Sequence, residues 1–210
     1  MPDYCEMSKG KIYFISLGCD KNLVDSEYML GMLSSNDYTV TCDEEDADTV
    51  IINTCGFIKD AQEESIETIL EAAALKNEGR ISKLIVAGCL SERYKAEILS
   101  EIPEVDAIIG TSAYDRIIEA IEGKGSDKQE YFCELSRLPE CDDKRLITGG
   151  SYSSSLKIAE GCDKRCTYCI IPYLRGGYRS FPVSKLVAEA EYLSSQGVKE
   201  LNIIAQETTV

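Results

Sequence analysis

Short apolar runs recur at wide intervals through the first half of the chain: Lys11–Leu17 (KIYFISL), Thr49–Asn53 (TVIIN), Lys83–Ala87 (KLIVA) and Ala107–Ile109. They are apolar at consecutive rather than alternate positions. Such strands are buried on both faces, as in a parallel sheet covered by helices on either side. The intervals carry helical patterns. Asn22 is placed to cap the first helix, with Asp25 in its first turn and Leu23, Leu30 and Leu33 on one face. Asp60, Glu63 and Glu64 acidify the start of the second, Ile66, Ile69, Leu70 and Ala73 form its apolar stripe, and Gly79 ends it. Ser91 opens a third helix running to about Ser100, and Ser112 a fourth that carries Ile117, Ile118 and Ile121 before Gly123. The predicted fold class is therefore α/β, with an open parallel-sheet domain over residues 10–124.

Residues 125–150 read as a polar linker with one short strand near Tyr131–Glu134. From residue 151 the pattern resumes. Leu156–Ala159 reads as a strand, Val183–Gln196 as a helix with Leu186, Ala190 and Leu193 on one face, and Glu200–Ala205 as the next strand after Gly197. Strand, helix and strand make a βαβ unit, the opening of a (β/α) barrel over residues 151–210.

The cysteines fall at two kinds of position. Cys162, Cys166 and Cys169 form C-x3-C-x2-C, three thiols within eight residues after a strand. Zinc wants four ligands, and the chain has no histidine. A disulfide would leave one thiol over and needs an oxidising compartment. The ferredoxin run C-x2-C-x2-C-x3-C-P is absent. Three thiolates on an iron–sulfur cluster leave one iron open to a substrate or cofactor. Cys19, Cys55 and Cys89 are far apart in sequence, yet each adjoins a glycine and follows an apolar run (Gly18-Cys19, Cys55-Gly56, Gly88-Cys89). In an open α/β sheet the carboxyl ends of the strands are where ligands bind. These three hold a second centre there, or pack as small hydrophobes, a common fate of free cysteine. Cys5, Cys42, Cys133 and Cys141 match no motif.

The string EGCDKRCTYCIIPYLRGGYRS, with Tyr168 before its last cysteine, resembles the radical S-adenosylmethionine (SAM) superfamily and its methylthiotransferase branch. SLGCDKNLVDSE, NTCGFI and the AGC turn are similar to the N-terminal domain of that branch. The resemblance covers about residues 10–210. It implies two [4Fe–4S] clusters, on Cys19, Cys55 and Cys89 and on Cys162, Cys166 and Cys169. It also implies SAM as cofactor: one molecule methylates the sulfur to be transferred, and another is cleaved to the radical that activates the target carbon. Tyr168 and Gln206, at the end of the second barrel strand, are the candidate SAM-binding residues. Lys21-Asn22-Leu23 stands where the tRNA-modifying MiaB-type has Q-M-N, so the RimO-type is the closer match. That type methylthiolates the β-carbon of an aspartate in the twelfth small-subunit ribosomal protein. Asp20 replaces the usual proline beside Cys19, and Phe181 replaces a usual arginine near the second cluster. Most of the barrel and a C-terminal binding domain lie outside these 210 residues, so the chain alone is expected to be inactive.

Charge bears on the partner. Residues 151–210 hold seven of the chain's 22 Lys/Arg and six of its 37 Asp/Glu. The first 150 residues therefore keep 15 bases and 31 acids, a net of −16. Such a surface suits a basic ribosomal protein and repels a phosphate backbone, which makes tRNA the lesser candidate. The motifs name neither a sulfur donor nor an electron donor. No apolar run nears the ~18 residues of a membrane span, and MPDYCEMSKGK has no signal-peptide pattern. A cytoplasmic location without a membrane partner is expected, where ten cysteines speak for metal or redox chemistry. Two other classes remain: an iron–sulfur electron-transfer or assembly module, and a flavodoxin-like FMN carrier. The first loop, GCDKN, lacks the small hydroxyl residues that would cradle the phosphate of FMN.

Overall fold

The computed structural model describes residues 8–123, 128–141, 144–150 and 152–209. Six parallel strands form the main sheet: β1 (Gly10–Ser16), β2 (Tyr38–Thr41), β3 (Thr49–Thr54), β4 (Lys83–Gly88), β5 (Ala107–Ile109) and β6 (Gln129–Tyr131). Their order is β2-β1-β3-β4-β5-β6. The chain winds outward in both directions from the β1/β3 pair, so the crevice of this doubly wound sheet opens at their carboxyl ends. The four apolar runs of the first half are strands, with ends shifted by a residue or so; the strand expected at Leu156–Ala159 instead divides at Ile158, between strands over Ser153–Lys157 and Ala159–Glu160. The short strand expected near residues 131–134 forms at Gln129–Tyr131 and joins the sheet beside β5.

Alternate side chains of each strand feed two cores, as a period of two requires. Ile12, Ile51, Ile85, Ala87 and Ile109 face α1 (Asp20–Ser35) and α4 (Ile117–Glu122). Val50, Ile52, Leu84, Val86 and Ile108 face α2 (Lys59–Asn77) and α3 (Cys89–Glu101). Ile51, Ile52, Leu84 and Ile85 are fully buried, each worth about 1.5–3 kcal/mol over an exposed position.

Four local expectations change. Ser112 does not open the fourth helix: a 3-10 turn over Tyr114–Arg116 leads into α4 at Ile117. Asn22 does not cap α1: the helix starts at Asp20, Cys19 occupies the capping position without a side-chain bond, and Asn22 is buried. Ser91 does not open α3, which starts at Cys89; its hydroxyl donates back to the Val86 carbonyl at 2.9 Å. The buried face of α2 is Ser65, Ile69, Ala72 and Ala73, while Ile66 and Leu70 lie 40% and 51% exposed. Ser65 turns inward because its hydroxyl serves both the N–H and the carbonyl of Cys55, at 3.0 and 3.1 Å.

The second region contains β7 (Ser153–Lys157) and β10 (Glu200–Ile204), paired in parallel across α6 (Val183–Ser195), the predicted βαβ unit. Between β7 and α6 lie β8 (Ala159–Glu160), α5 (Ile171–Arg175) and β9 (Arg179–Ser180), with β8 and β9 antiparallel. The region docks on α1 largely through charge. Arg145, completely buried, lies 3.3 Å from Glu27 of α1 and 3.3 Å from Glu189 of α6, and donates to the Ser155 carbonyl at 2.6 Å. Tyr28 donates to Glu189 at 2.8 Å. Among the described residues no helix is long and apolar enough to cross a membrane.

Candidate metal centres

Cys19, Cys55 and Cys89 follow the carboxyl ends of β1, β3 and β4, which are neighbours in the sheet. Register brings them level. Asn53 of β3 is opposite Ser16 and Ala87, and Thr54 is opposite Gly88, so Cys55 lies beside both Gly18 and Cys89. Cys55 and Cys89 are buried and Cys19 is exposed. Glycine is required at two of these turns. A Cβ on Gly18 would stand 2.9 Å from the Cβ of Cys55. Gly88 has φ 94° and ψ −153°, a region that glycine alone populates, and a Cβ there would stand 2.3 Å from Asn53 Oδ1.

Two asparagines tie this edge together. Asn22 Nδ2 donates to the carbonyls of Leu17 and Thr54, at 3.1 and 2.9 Å, pairing groups at the ends of two strands that the ladder leaves free. Asn53 Nδ2 donates to the Asn22 carbonyl and to Ser26 Oγ, both at 2.9 Å. Asn22 Oδ1 accepts from Arg175 Nη2 at 2.5 Å, and the same nitrogen lies 3.7 Å from Cys89 Sγ. Burial pushes the Cys89 thiol up, and the charge and hydrogen bond of Arg175 pull it back.

Arg175 belongs to a buried quartet of alternating sign. Its Nη1 lies 2.8 Å from Asp25 Oδ2 and 3.2 Å from Glu160 Oε2, and Lys157 bonds both carboxylates from the other side. Burial alone would push the Glu160 carboxyl up, but Lys157 and Arg175 outweigh it and hold it down to about 2. A carboxyl so depressed stabilises the fold fully above its unfolded pKa of about 4.3 and loses that contribution as pH falls to about 2. Melting temperature should fall across this window, and more steeply in the wild type than in Glu160→Gln. Equal slopes would place the acid sensitivity elsewhere.

Cys162, Cys166 and Cys169 lie on the loop between β8 and α5, with Cys166 exposed and the other two partly so. The Cys162 N–H donates to the Gly176 carbonyl at 3.1 Å, and the Cys169 N–H to the Cys166 carbonyl at 2.9 Å. A cleft of about 370 Å³ opens here, lined by Arg165, Cys166, Thr167, Cys169, Pro172 and Tyr173. Tyr168 is 88% exposed. Gln206 follows β10, and its Oε1 is buried without a hydrogen-bond partner among the described residues.

Among the described residues no three of His, Cys, Asp and Glu converge closely enough to share one metal ion. A zinc-type site, with four ligands on one ion, does not fit either triad. An iron–sulfur cluster spreads its thiolates over separate irons and fits all-cysteine sets such as these. Of the other thiols, Cys133 and Cys141 pack against the α1/α4 core, where burial pushes Cys141 up to about 12; Cys42 is exposed and Cys5 lies outside the described residues. Of the two departures, Asp20 places a carboxylate in the first turn of α1, a favourable position for negative charge. The Phe181 ring packs 5.7 Å from the Lys157 ammonium.

The family model described as uncharacterized protein family UPF0004 matches residues 11–110. A ribosomal protein uS12 methylthiotransferase RimO from Lachnoclostridium phytofermentans is 58% identical over 201 residues, covering 95% of this chain and 46% of the relative. One of the same name from Acetivibrio thermocellus is 50% identical over 210 residues, covering 96% and 46%. The chain spans about half the length of the curated relatives it matches. The solved structure of a radical SAM methyltransferase, TsrM from Kitasatospora setae, is similar in fold, with a TM-score of 0.58 at 14% identity, covering 94% of this chain and 48% of that one. Identical at half or more of the aligned positions along nearly its whole length, the chain is similar to about half of each of these relatives, named RimO methylthiotransferases.

Proposed function

We infer that the chain is part of a radical SAM enzyme that transfers a methylthio group to the β-carbon of an aspartate in ribosomal protein uS12. The observation that carries this reading is the level placement of Cys19, Cys55 and Cys89 at the crevice of the sheet, bonded through Arg175 to the helix that follows Cys162, Cys166 and Cys169. In this reading residues 10–124 carry the first centre. Residues 125–150 link the two regions, with β6 tying the front of the linker to the sheet, and residues 151–210 open the radical SAM barrel. Each triad would hold one [4Fe–4S] cluster, the first offering an open iron for the sulfur and the second supplying the electron for SAM cleavage. The cleft beside Cys166 and Cys169 would admit SAM, with Gln206 offering an unpartnered acceptor and Tyr168 an exposed ring. Asn22 and Asn53 hold the strand ends that carry the first thiols.

The charge of the first 150 residues supports a basic protein substrate over tRNA, since affinity for nucleic acid rests largely on Lys/Arg neutralising phosphate. An enzyme acting on a ribosomal protein would work where ribosomes are, in the cytoplasm. The test is an assay of the enzyme completed with its barrel, offered uS12 and an isopentenyladenosine-bearing tRNA in parallel. Mass spectrometry should find the adduct on the aspartate. Its appearance on the tRNA alone would overturn both the substrate and the charge argument.

A further inference from the structure

Arg175 is the last residue of α5, and its two terminal nitrogens serve different neighbours. Nη1 is engaged by the carboxylates of Asp25 and Glu160. Nη2 points the other way, to Asn22 Oδ1 at 2.5 Å and Cys89 Sγ at 3.7 Å. A terminal guanidinium nitrogen carries two N–H groups, so one can bond the amide oxygen while the other bonds the sulfur. The guanidinium is planar and rigid, and its orientation is set from three sides. Asp25 and Glu160 fix one edge of the fork. Asn22 fixes the other, and is itself pinned to the carbonyls of Leu17 and Thr54. α5 packs on α3, the helix that Cys89 begins, and the Thr111 hydroxyl holds the Leu174 carbonyl at 2.6 Å.

A role confined to neutralising the carboxylates would need only the charge. A lysine could face Asp25 and Glu160, as Lys157 already does. The nitrogen directed at Asn22 and Cys89 together is what a lysine, a single charge centre on a flexible stem, does not reproduce.

We propose that Arg175 is a positioning residue for the iron–sulfur centre of Cys19, Cys55 and Cys89, donating a hydrogen bond to the Cys89 sulfur and thereby raising the reduction potential of that centre. The proposal rests on the reading that these three cysteines hold a cluster. Reduction adds negative charge to a cluster. A hydrogen bond to a ligating sulfur, together with a buried positive charge beside it, favours the reduced form. The arginine reaches this sulfur from the helix that starts two residues after Cys169, and the residue after it, Gly176, accepts from Cys162.

The test uses the full chain with Cys162, Cys166 and Cys169 changed to Ala, so that only the first triad takes iron. This parent is compared with Arg175→Lys and with the charge-balanced Arg175→Met/Glu160→Gln, all reconstituted anaerobically and titrated by electron paramagnetic resonance. The parent should hold about four irons per chain. Both variants should show the midpoint shifted to more negative potential. Loss of iron from Arg175→Lys with an unchanged circular dichroism spectrum also supports the proposal, because lysine keeps the charge that the carboxylates need. An unchanged midpoint in iron-loaded variants overturns it. If the parent itself takes no iron, the cluster reading fails, and the proposal fails with it.

Discussion

After anaerobic reconstitution with iron and sulfide, the chain should hold about eight irons, and changing Cys162, Cys166 and Cys169 together to Ala should leave about four. The two triads lie on separate elements: one at the ends of β1, β3 and β4, the other on the loop between β8 and α5. Removing the second leaves the asparagine-braced strand ends of the first untouched. The complementary change of Cys19, Cys55 and Cys89 should also halve the iron. Cys42, Cys133 and Cys141 should each be replaceable by Ser or Ala without loss of iron. Iron that does not respond to either triple change would show that the ligands lie elsewhere.

Replacing Lys157 with Met should destabilise the protein by about 3–5 kcal/mol, the usual result of removing one partner from a buried ion pair. Lys157 is 2% exposed and bonds both Asp25 and Glu160. Without it Arg175 alone faces two buried carboxylates. The added substitution Glu160→Gln should recover much of the loss, because Asp25 and Arg175 then remain as a matched pair. Urea unfolding midpoints of the single and double variants measure both effects. A loss below about 1 kcal/mol for Lys157→Met would mean that water reaches the quartet and screens it.

The strands were legible because their evidence is local. KIYFISL, TVIIN and KLIVA are apolar at consecutive positions, and only a sheet covered on both faces uses such runs well. The thiols were legible for a related reason, since a cysteine beside a glycine just past a strand is a local pattern. Asn22 looked like a helix cap because propensity weighs only near neighbours. Its partners, the Thr54 carbonyl and Arg175, lie 32 and 153 residues away. Asp25, Lys157, Glu160 and Arg175 escaped for the same reason. A trace was present in LKIAEGC, where Lys157 and Glu160 interrupt an otherwise apolar segment. A charge in such a place is either solvated or paired, and only the tertiary structure supplies the pair. Ile66 and Leu70 failed in the opposite way: the Cys55 backbone drew Ser65 inward and rotated the buried face of α2 away from them.

The buried quartet also gives the order of synthesis a physical meaning. Asp25 precedes Lys157 by 132 residues and Arg175 by 150. At a synthesis rate of about 5–20 residues per second that separation is on the order of ten seconds, far longer than a small sheet needs to collapse. During that interval the nascent sheet presents Asp25 and Glu27 on α1 with neither their lysine nor their arginines yet made. Their carboxylates stay hydrated, which keeps that face from sticking to neighbouring chains. The water leaves only when the linker and the second region arrive with Arg145, Lys157 and Arg175. The same carboxylates that lock the finished molecule thus act as a solubilising tag on the half-made one.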